Sequence, residues 1–365
     1  MSPLGSQRGG VYGWHAASMR RRPALDGLRA VAVLAVFAHH ALPRSAGGWI
    51  GVEVFFVLSG YLITGLLMSE LQSRSGLSLS RFYGRRALRL YPALLLLILL
   101  SLPFYRVLGD GGTIAGYGRT ALATGLYVQD FVEGLDGPHG GFGHAWSLAI
   151  EEQFYLVWPL ILIGISKLQR CWVGAVAAAG SLCLLATTAV VSEPHAFTPN
   201  SYFLPYSQGS VLLAGCALGA WLPLAREVLG PAVRVAAWAA LASLGAFIVL
   251  AGPDWRSTHL TLGLAGASLL SVLVLIELEC WPQGLMAQVL SWKPLAHLGL
   301  ISYGFYLFHL PAGEVLGRVP GIRHAIVVPL QLLVSLVLAE GSYRWLEAPI
   351  ARRWRGRLAS RRVAA

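Results

Sequence analysis

Arg29 and His40 stand eleven positions apart in "LDGLRAVAVLAVFAHHALP", residues 25–43. On a helix that is about three turns and ~16 Å of rise, so both side chains share one face. An imidazole inside an apolar bundle can act as a general base near neutral pH. A guanidinium at the mouth of the same helix can receive an anion. His39 points ~100° away from that face. The same pair also fits a juxtamembrane anchor arginine and a histidine bonded to a neighbouring helix, and spacing alone leaves both readings open.

Four further clusters carry ionisable or polar groups. "RFYGRRALRLYP", residues 81–92, holds Arg85, Arg86 and Arg89. Arg86 and Arg89 are i, i+3 neighbours. Such a cluster either anchors a cytoplasmic helix end or clamps phosphate oxygens with guanidinium forks. "HAWSLAIEEQFYLVWPL", residues 144–160, places Glu151 and Glu152 in an apolar run with no lysine or arginine within two turns. These acids need partners on other helices or water, either to tie helices together or to do chemistry. Ser147 is i, i+4 to Glu151, and Trp146 suits an interface. "GWIGVEVFFVLSGYLIT", residues 48–64, adds Glu53, close to His40 around a short turn, and a Ser59–Gly60 pair that permits close helix approach. In "LGLISYGFYLFHLP", residues 298–311, Ser302, Tyr306 and His309 share a face, with Tyr303 beside it. That stripe reads mainly as packing, with a polar edge able to line a cavity.

The elements that must position these groups follow from composition. The chain has 365 residues, 56% hydrophobic and 12% charged, with mean hydropathy +0.61. A soluble domain carries about a quarter charged residues. A polytopic membrane protein is therefore expected, with the lipid bilayer as partner. Apolar segments fall at 26–43, 50–70, 88–105, 113–131, 145–166, 171–192, 205–223, 232–251, 258–277, 297–316 and 324–344. Helices are the expected spanning structure, because each satisfies its own backbone groups. Segment 113–131 is the weakest, with Arg119, Gln129, Asp130 and three glycines. If every other segment crosses, 22 of the 28 Lys and Arg fall on the side of the N-terminus, as the positive-inside rule asks. The expectation is an all-α polytopic transmembrane helical bundle of about ten spans, plus one re-entrant or surface helix at 113–131. Both termini are expected to be cytoplasmic.

The same bias accounts for the net charge of +11 without nucleic acid. Three regions are expected: a disordered basic tail over 1–24, the transmembrane domain over 25–346 and a basic cytoplasmic tail over 347–365. Cys171, Cys183, Cys216 and Cys280 are scattered through apolar segments and read as apolar fillers. No metal-ligand spacing is present in the sequence.

Together these stretches resemble the acyltransferase-3 family of integral membrane O-acyltransferases. The matching pieces are "RPALDGLRAVAVLAVFAHH", "GGWIGVEVFFVLSGYLIT", "RFYGRRALRLYP", "WSLAIEEQFYLVWP", "ISYGFYLFHLP" and "YRWLEAPIARR". They occur in family order from residue 22 to about 353. Glu53 stands where the family more often has aspartate, and "YLFHLP" replaces the commoner "YLWHWP". Many relatives also carry a fused SGNH hydrolase-like domain, here expected to be a separate chain or absent.

The resemblance implies transfer of an acyl group, most often acetyl, from cytoplasmic acyl-CoA, with no metal. The acceptor would be a hydroxyl of a glycan, a lipid-linked sugar or a glycosylated secondary metabolite such as a macrolide. The arginine–x10–histidine motif maps onto Arg29 and His40, the RxxR element onto Arg86 and Arg89, and the acidic element onto Glu151 and Glu152. His40 is expected as general base, oriented by Glu151 or Glu53. Arg29, Arg85, Arg86 and Arg89 are expected to hold the coenzyme, and Ser147, Trp146, Glu152 and Tyr303 the substrate. The expected location is a bacterial cytoplasmic (inner or plasma) membrane, multi-pass. Oligomeric state is left open, a homo-oligomer included. The rival class is a transporter of acyl groups or sugars without chemistry; the sequence shows no inverted repeat or obvious broken-helix pair to favour it.

Overall fold

The computed structural model describes residues 22–42, 46–73, 76–136, 140–191, 201–251 and 260–354. The N-terminal tail through residue 21 and the C-terminal tail from residue 355 lie outside these residues, as do 43–45, 74–75, 137–139, 192–200 and 252–259.

The described chain is helical, with no strand among the described residues. Its main helices are α1 (Pro23–Ala41), α2 (Ile50–Leu71), α3 (Leu79–Ser101), α4 (Ile114–Gly125), α5 (Trp146–Gly164) and α6 (Arg170–Val191). They continue with α7 (Pro205–Ala225), α8 (Pro231–Leu250), α9 (Leu260–Cys280), α10 (Lys293–Leu300), α11 (Ser302–Gly317) and α12 (His324–Ser342). Proline opens α1, α7 and α8, where its missing N–H costs nothing and its fixed φ already suits a helix. Ser78 caps α3 by accepting from the Arg81 N–H, and Thr113 caps α4 by accepting from the Gly116 N–H. Leu99, Leu156, Leu182, Leu250, Leu262 and Leu333 lie exposed on the bundle's outside, a surface that suits lipid.

Nine helices among the described residues are long and apolar enough to cross a bilayer. The tenth expected span, 297–316, is broken. The chain leaves α10 at Ile301, where N–H groups fall back on nearer carbonyls, and restarts as α11. At 16 residues, α11 runs ~24 Å, short of a ~30 Å hydrocarbon core. Close packing accompanies the break. A Cβ at Gly299 would lie 1.6 Å from the Asp26 carbonyl oxygen, so α10 is pressed against the start of α1.

Segment 113–131 forms only α4 and a turn at Gln129–Phe131. Twelve residues rise ~18 Å, too little to cross. Its end turns inward. Tyr127, in the left-handed region at φ 55, packs edge-on against Tyr91 of α3 with ring centroids 5.6 Å apart. Its carbonyl accepts from Gln153 Nε2 at 2.9 Å. The end of the segment thus packs against α3 and α5, while Ile114 and Leu122 of α4, and Leu126 just after it, stay exposed.

Helices α2 and α7 cross at reciprocal glycines. A Cβ at Gly60 would sit 2.0 Å from the Leu212 oxygen, and one at Gly215 would sit 2.1 Å from the Val57 oxygen. Backbones this close need small residues on both sides. Replacing Gly60 by valine is expected to destabilise the bundle by at least ~1–3 kcal/mol through overpacking. A clear drop in the melting temperature of the detergent-solubilised protein would show it. An unchanged melt would mean that the helices are not so closely apposed.

Candidate active site

Two cavities adjoin between the helices. The first, about 360 Å³, is lined by Arg29, Arg85, Arg86, Arg89, Tyr127, Ser147, Glu151, Glu152, Tyr155, Ser302 and Tyr303, among others. The second, about 210 Å³, is lined by His39, His40, Trp49, Glu133, His144, Trp146, Tyr202 and Phe203. Val52 and Tyr306 line both. The arginine chamber and the histidine chamber are thus neighbours across a shared wall.

Helix α1 explains the separation. Its rise carries Arg29 into the first chamber and His40 into the second. His39 also reaches the histidine chamber, because that cavity wraps the end of α1. Its ring centroid lies 5.2 Å from that of His40.

In the arginine chamber most charges are already paired. Arg29 Nη1 lies 3.3 Å from Asp26. Arg85 Nη2 donates to Glu70 at 2.7 Å. Arg86 is ion-paired with Glu152, and its guanidinium carbon sits 3.4 Å from the centroid of the Tyr155 ring. Glu152, expected beside the substrate, thus sits against Arg86. Arg89 makes no hydrogen bond or ion pair to a described residue, and it is exposed to the chamber. Tyr303 lines the wall and donates to the Leu90 carbonyl at 3.0 Å.

Both carboxylates expected to orient His40 have other partners as well. Glu151 Oε1 accepts from Ser59 at 2.5 Å and from Tyr155 at 2.7 Å, on the arginine side. Glu53, fully buried, accepts from Tyr202 at 3.0 Å. One side chain that meets His40 Nδ1 is His309, whose Nε2 lies 3.2 Å away. His144 meets His309 edge-on, with ring centroids 5.3 Å apart.

Tyr306, one of the two shared wall residues, forms a hydroxyl pair with Ser147 of the arginine chamber. Ser147 Oγ and Tyr306 Oη are 2.6 Å apart, and Tyr306 donates to the His144 carbonyl at 2.8 Å. On the histidine side, Trp146 packs against Tyr202 and Phe203, with centroids 5.0 and 5.2 Å apart. Trp49 adds an edge at 5.7 Å from Tyr202. The result is an aromatic wall facing ionisable groups, the composition of a small-molecule site. No group of three or more His, Cys, Asp or Glu among the described residues could hold a metal ion.

Sequence reasoning singled out His40 but not His144, Tyr306 or His309. His144 stands only as the first residue of its motif, and the Ser302–Tyr306–His309 stripe reads mainly as packing with a polar edge able to line a cavity. The i, i+4, i+7 spacing is the same for a packed face and a cavity-lining face, so only the arrival of α1 against α11 tells them apart.

Comparison with known proteins joins these features. The family model described as "Acyltransferase domain" matches residues 22–339. The chain is 32% identical over 352 residues to a peptidoglycan O-acetyltransferase of Listeria monocytogenes, covering 90% of this chain and 55% of that one. It is 32% identical over 378 residues to an O-acetyltransferase of Staphylococcus aureus, covering 92% and 58% respectively. A Bacillus subtilis chain with a name of the same kind is 34% identical over 350 residues, covering 90% and 54%. The chain thus spans a little over half the length of the curated relatives it matches. No solved structure gives a significant match. The helices that carry Arg29, His40, Arg86, Arg89, Glu151 and His309 all fall inside the matched segment, and on that match the chain belongs to the acyltransferase domain family.

Proposed function

We propose that this chain is a membrane O-acyltransferase of a bacterial cytoplasmic membrane, moving an acetyl group from cytoplasmic acyl-CoA to a hydroxyl presented in the histidine chamber. The observation that carries this reading is the pair of adjoining chambers, one cationic and one histidine-lined, joined at Tyr306 and Val52. With Arg29 on the cytoplasmic side, the anionic donor enters where the arginines are. A cavity of 360 Å³ falls within the range that holds a small-molecule ligand. The aromatic wall of the second chamber suits the C–H face of a sugar ring. Two relatives are named for peptidoglycan or its O-acetylation, and a glycan hydroxyl is the acceptor class proposed here.

The chemistry balances without a metal. The acceptor hydroxyl gives its proton to His40 as its oxygen attacks the thioester carbonyl carbon. The carbon–sulfur bond breaks, and the coenzyme leaves as a thiolate that recovers the proton from the imidazolium. Ser147, at the boundary, can turn from Tyr306 towards the thioester carbonyl. Positioned proton transfer of this kind contributes ~10²–10⁴ in rate.

The break at Ile301 would also suit a carrier without chemistry. Purified protein in detergent separates the two. With acetyl-CoA and a glycan oligomer, the enzyme releases free coenzyme thiol and yields an O-acetylated oligomer. Absence of both products, from folded protein offered several glycan acceptors, would overturn the transferase reading.

A further inference from the structure

Resting on the assignment of His40 as the base, we propose that His309 is a positioning residue that holds the Nδ1 proton of His40 and makes Nε2 the basic atom. The argument is one of proton count. A carbonyl oxygen can only accept. His309 Nδ1 lies 2.6 Å from the Tyr306 carbonyl oxygen, so it carries the ring proton and donates it there. Its Nε2 is then a bare acceptor in the neutral ring. His40 Nδ1 lies 3.0 Å from the Val36 carbonyl oxygen and 3.2 Å from that bare Nε2. Both neighbours accept, so His40 Nδ1 carries the proton. The lone pair of neutral His40 is therefore on Nε2.

The two acceptors are not equivalent. The Val36 carbonyl is one turn back on the same helix and is available to a residue at this position whatever its neighbours. His309 comes from α11, and unlike a carbonyl it can also take up charge. When His40 gains the acceptor's proton, the bond from Nδ1 to His309 becomes charge-assisted, and such bonds are about twice as strong as neutral ones. A carboxylate usually supplies this service to a catalytic histidine. Here a neutral imidazole, that of the fully buried His309, does so.

His309 is built to stay where it is. It is fully buried. Its ring lies parallel to that of Phe305, with an interplanar angle of 7°, and Phe37 of α1 meets it near edge-on. Its own carbonyl accepts from Gln331 Nε2 of α12 at 2.8 Å. His40, in contrast, is exposed on the chamber wall where a hydroxyl can reach it. One histidine is fixed by packing and the other is turned by it.

Three substitutions test this. His309→Gln keeps an amide oxygen near the position of Nε2. His309→Asn keeps a donor for the Tyr306 carbonyl but falls short of His40. His309→Leu keeps neither. The expected result is that kcat falls by about 10- to 100-fold in the Asn and Leu variants, as for loss of a charge-assisted hydrogen bond. KM for acetyl-CoA stays at the wild-type value, and Gln restores most of kcat. A purely structural role would track the melting temperature rather than the reach of the amide, and Asn and Gln would then behave alike. If Leu fails to fold, the Asn–Gln contrast decides. Wild-type kcat in His309→Asn, with His40→Ala inactive, overturns the positioning role alone. Full activity in His40→Ala overturns the reading on which it rests.

Discussion

Replacing His40 by alanine is expected to cripple acyl transfer while leaving a folded membrane protein. The expected loss is ~10²–10⁴ in kcat, the range supplied by a positioned general base. Folding is spared because His40 sits exposed in the last turn of α1, where alanine is a better helix former. What is removed is an imidazole beside His309, at the edge of the chamber that also holds His39 and His144. His39→Ala is the internal control. Its ring lines the same cavity but is not the one that meets His309, and its loss is expected to change kcat by less than about tenfold, an effect on chamber shape rather than on proton transfer. Equal losses from the two substitutions, with both proteins folded, would mean that the chamber needs imidazoles in general and not one base.

The second large effect is expected at Arg89. Arg29, Arg85 and Arg86 each face a carboxylate, on Asp26, Glu70 and Glu152 respectively. Arg89 has no such partner among the described residues and lies exposed in the same chamber. It is the cation most able to meet a donor's phosphate. A charge-assisted hydrogen bond contributes about 1.5–3 kcal/mol, or roughly 10- to 150-fold in KM for acetyl-CoA when Arg89→Gln removes it. The phosphate-free donor acetyl-pantetheine makes the test specific. Wild type and Arg89→Gln should use it equally well, because neither has a phosphate to hold. If the variant handles both donors equally poorly, Arg89 shapes the chamber instead. Arg86→Gln is predicted to differ in kind. It strands Glu152 in a partly buried site and should lower the melting temperature as well as activity.

Much of this architecture was legible along the chain. Apolar length gave the helices, and three glycines, Arg119 and Asp130 in 113–131 marked the segment that does not cross. The phase of α1 put Arg29 and His40 on one face. It did not show that they open into different chambers, because helical phase reports direction and not which cavity lies opposite at each height. The break at Ile301 was hidden in an unbroken apolar run. It stands two residues after Gly299, which packs on the Asp26 carbonyl more than 270 positions away. The Arg86–Glu152 pair and the His40–His309 bond are likewise tertiary. Each links residue types that sequence reasoning had noted separately, and neither leaves a local signature. A buried polar stripe on α11 looks the same whether it meets leucines or a histidine from α1.

The central claim is that the acyl group passes from the arginine chamber to the histidine chamber, and so from one face of the membrane to the other. The direct measurement uses sealed proteoliposomes with labelled acetyl-CoA outside and a membrane-impermeant glycan oligomer trapped inside. The account predicts label on the enclosed oligomer and free coenzyme outside, both lost in His40→Ala. Acetylation only when donor and acceptor share one compartment, with the enclosed oligomer unlabelled, would contradict it.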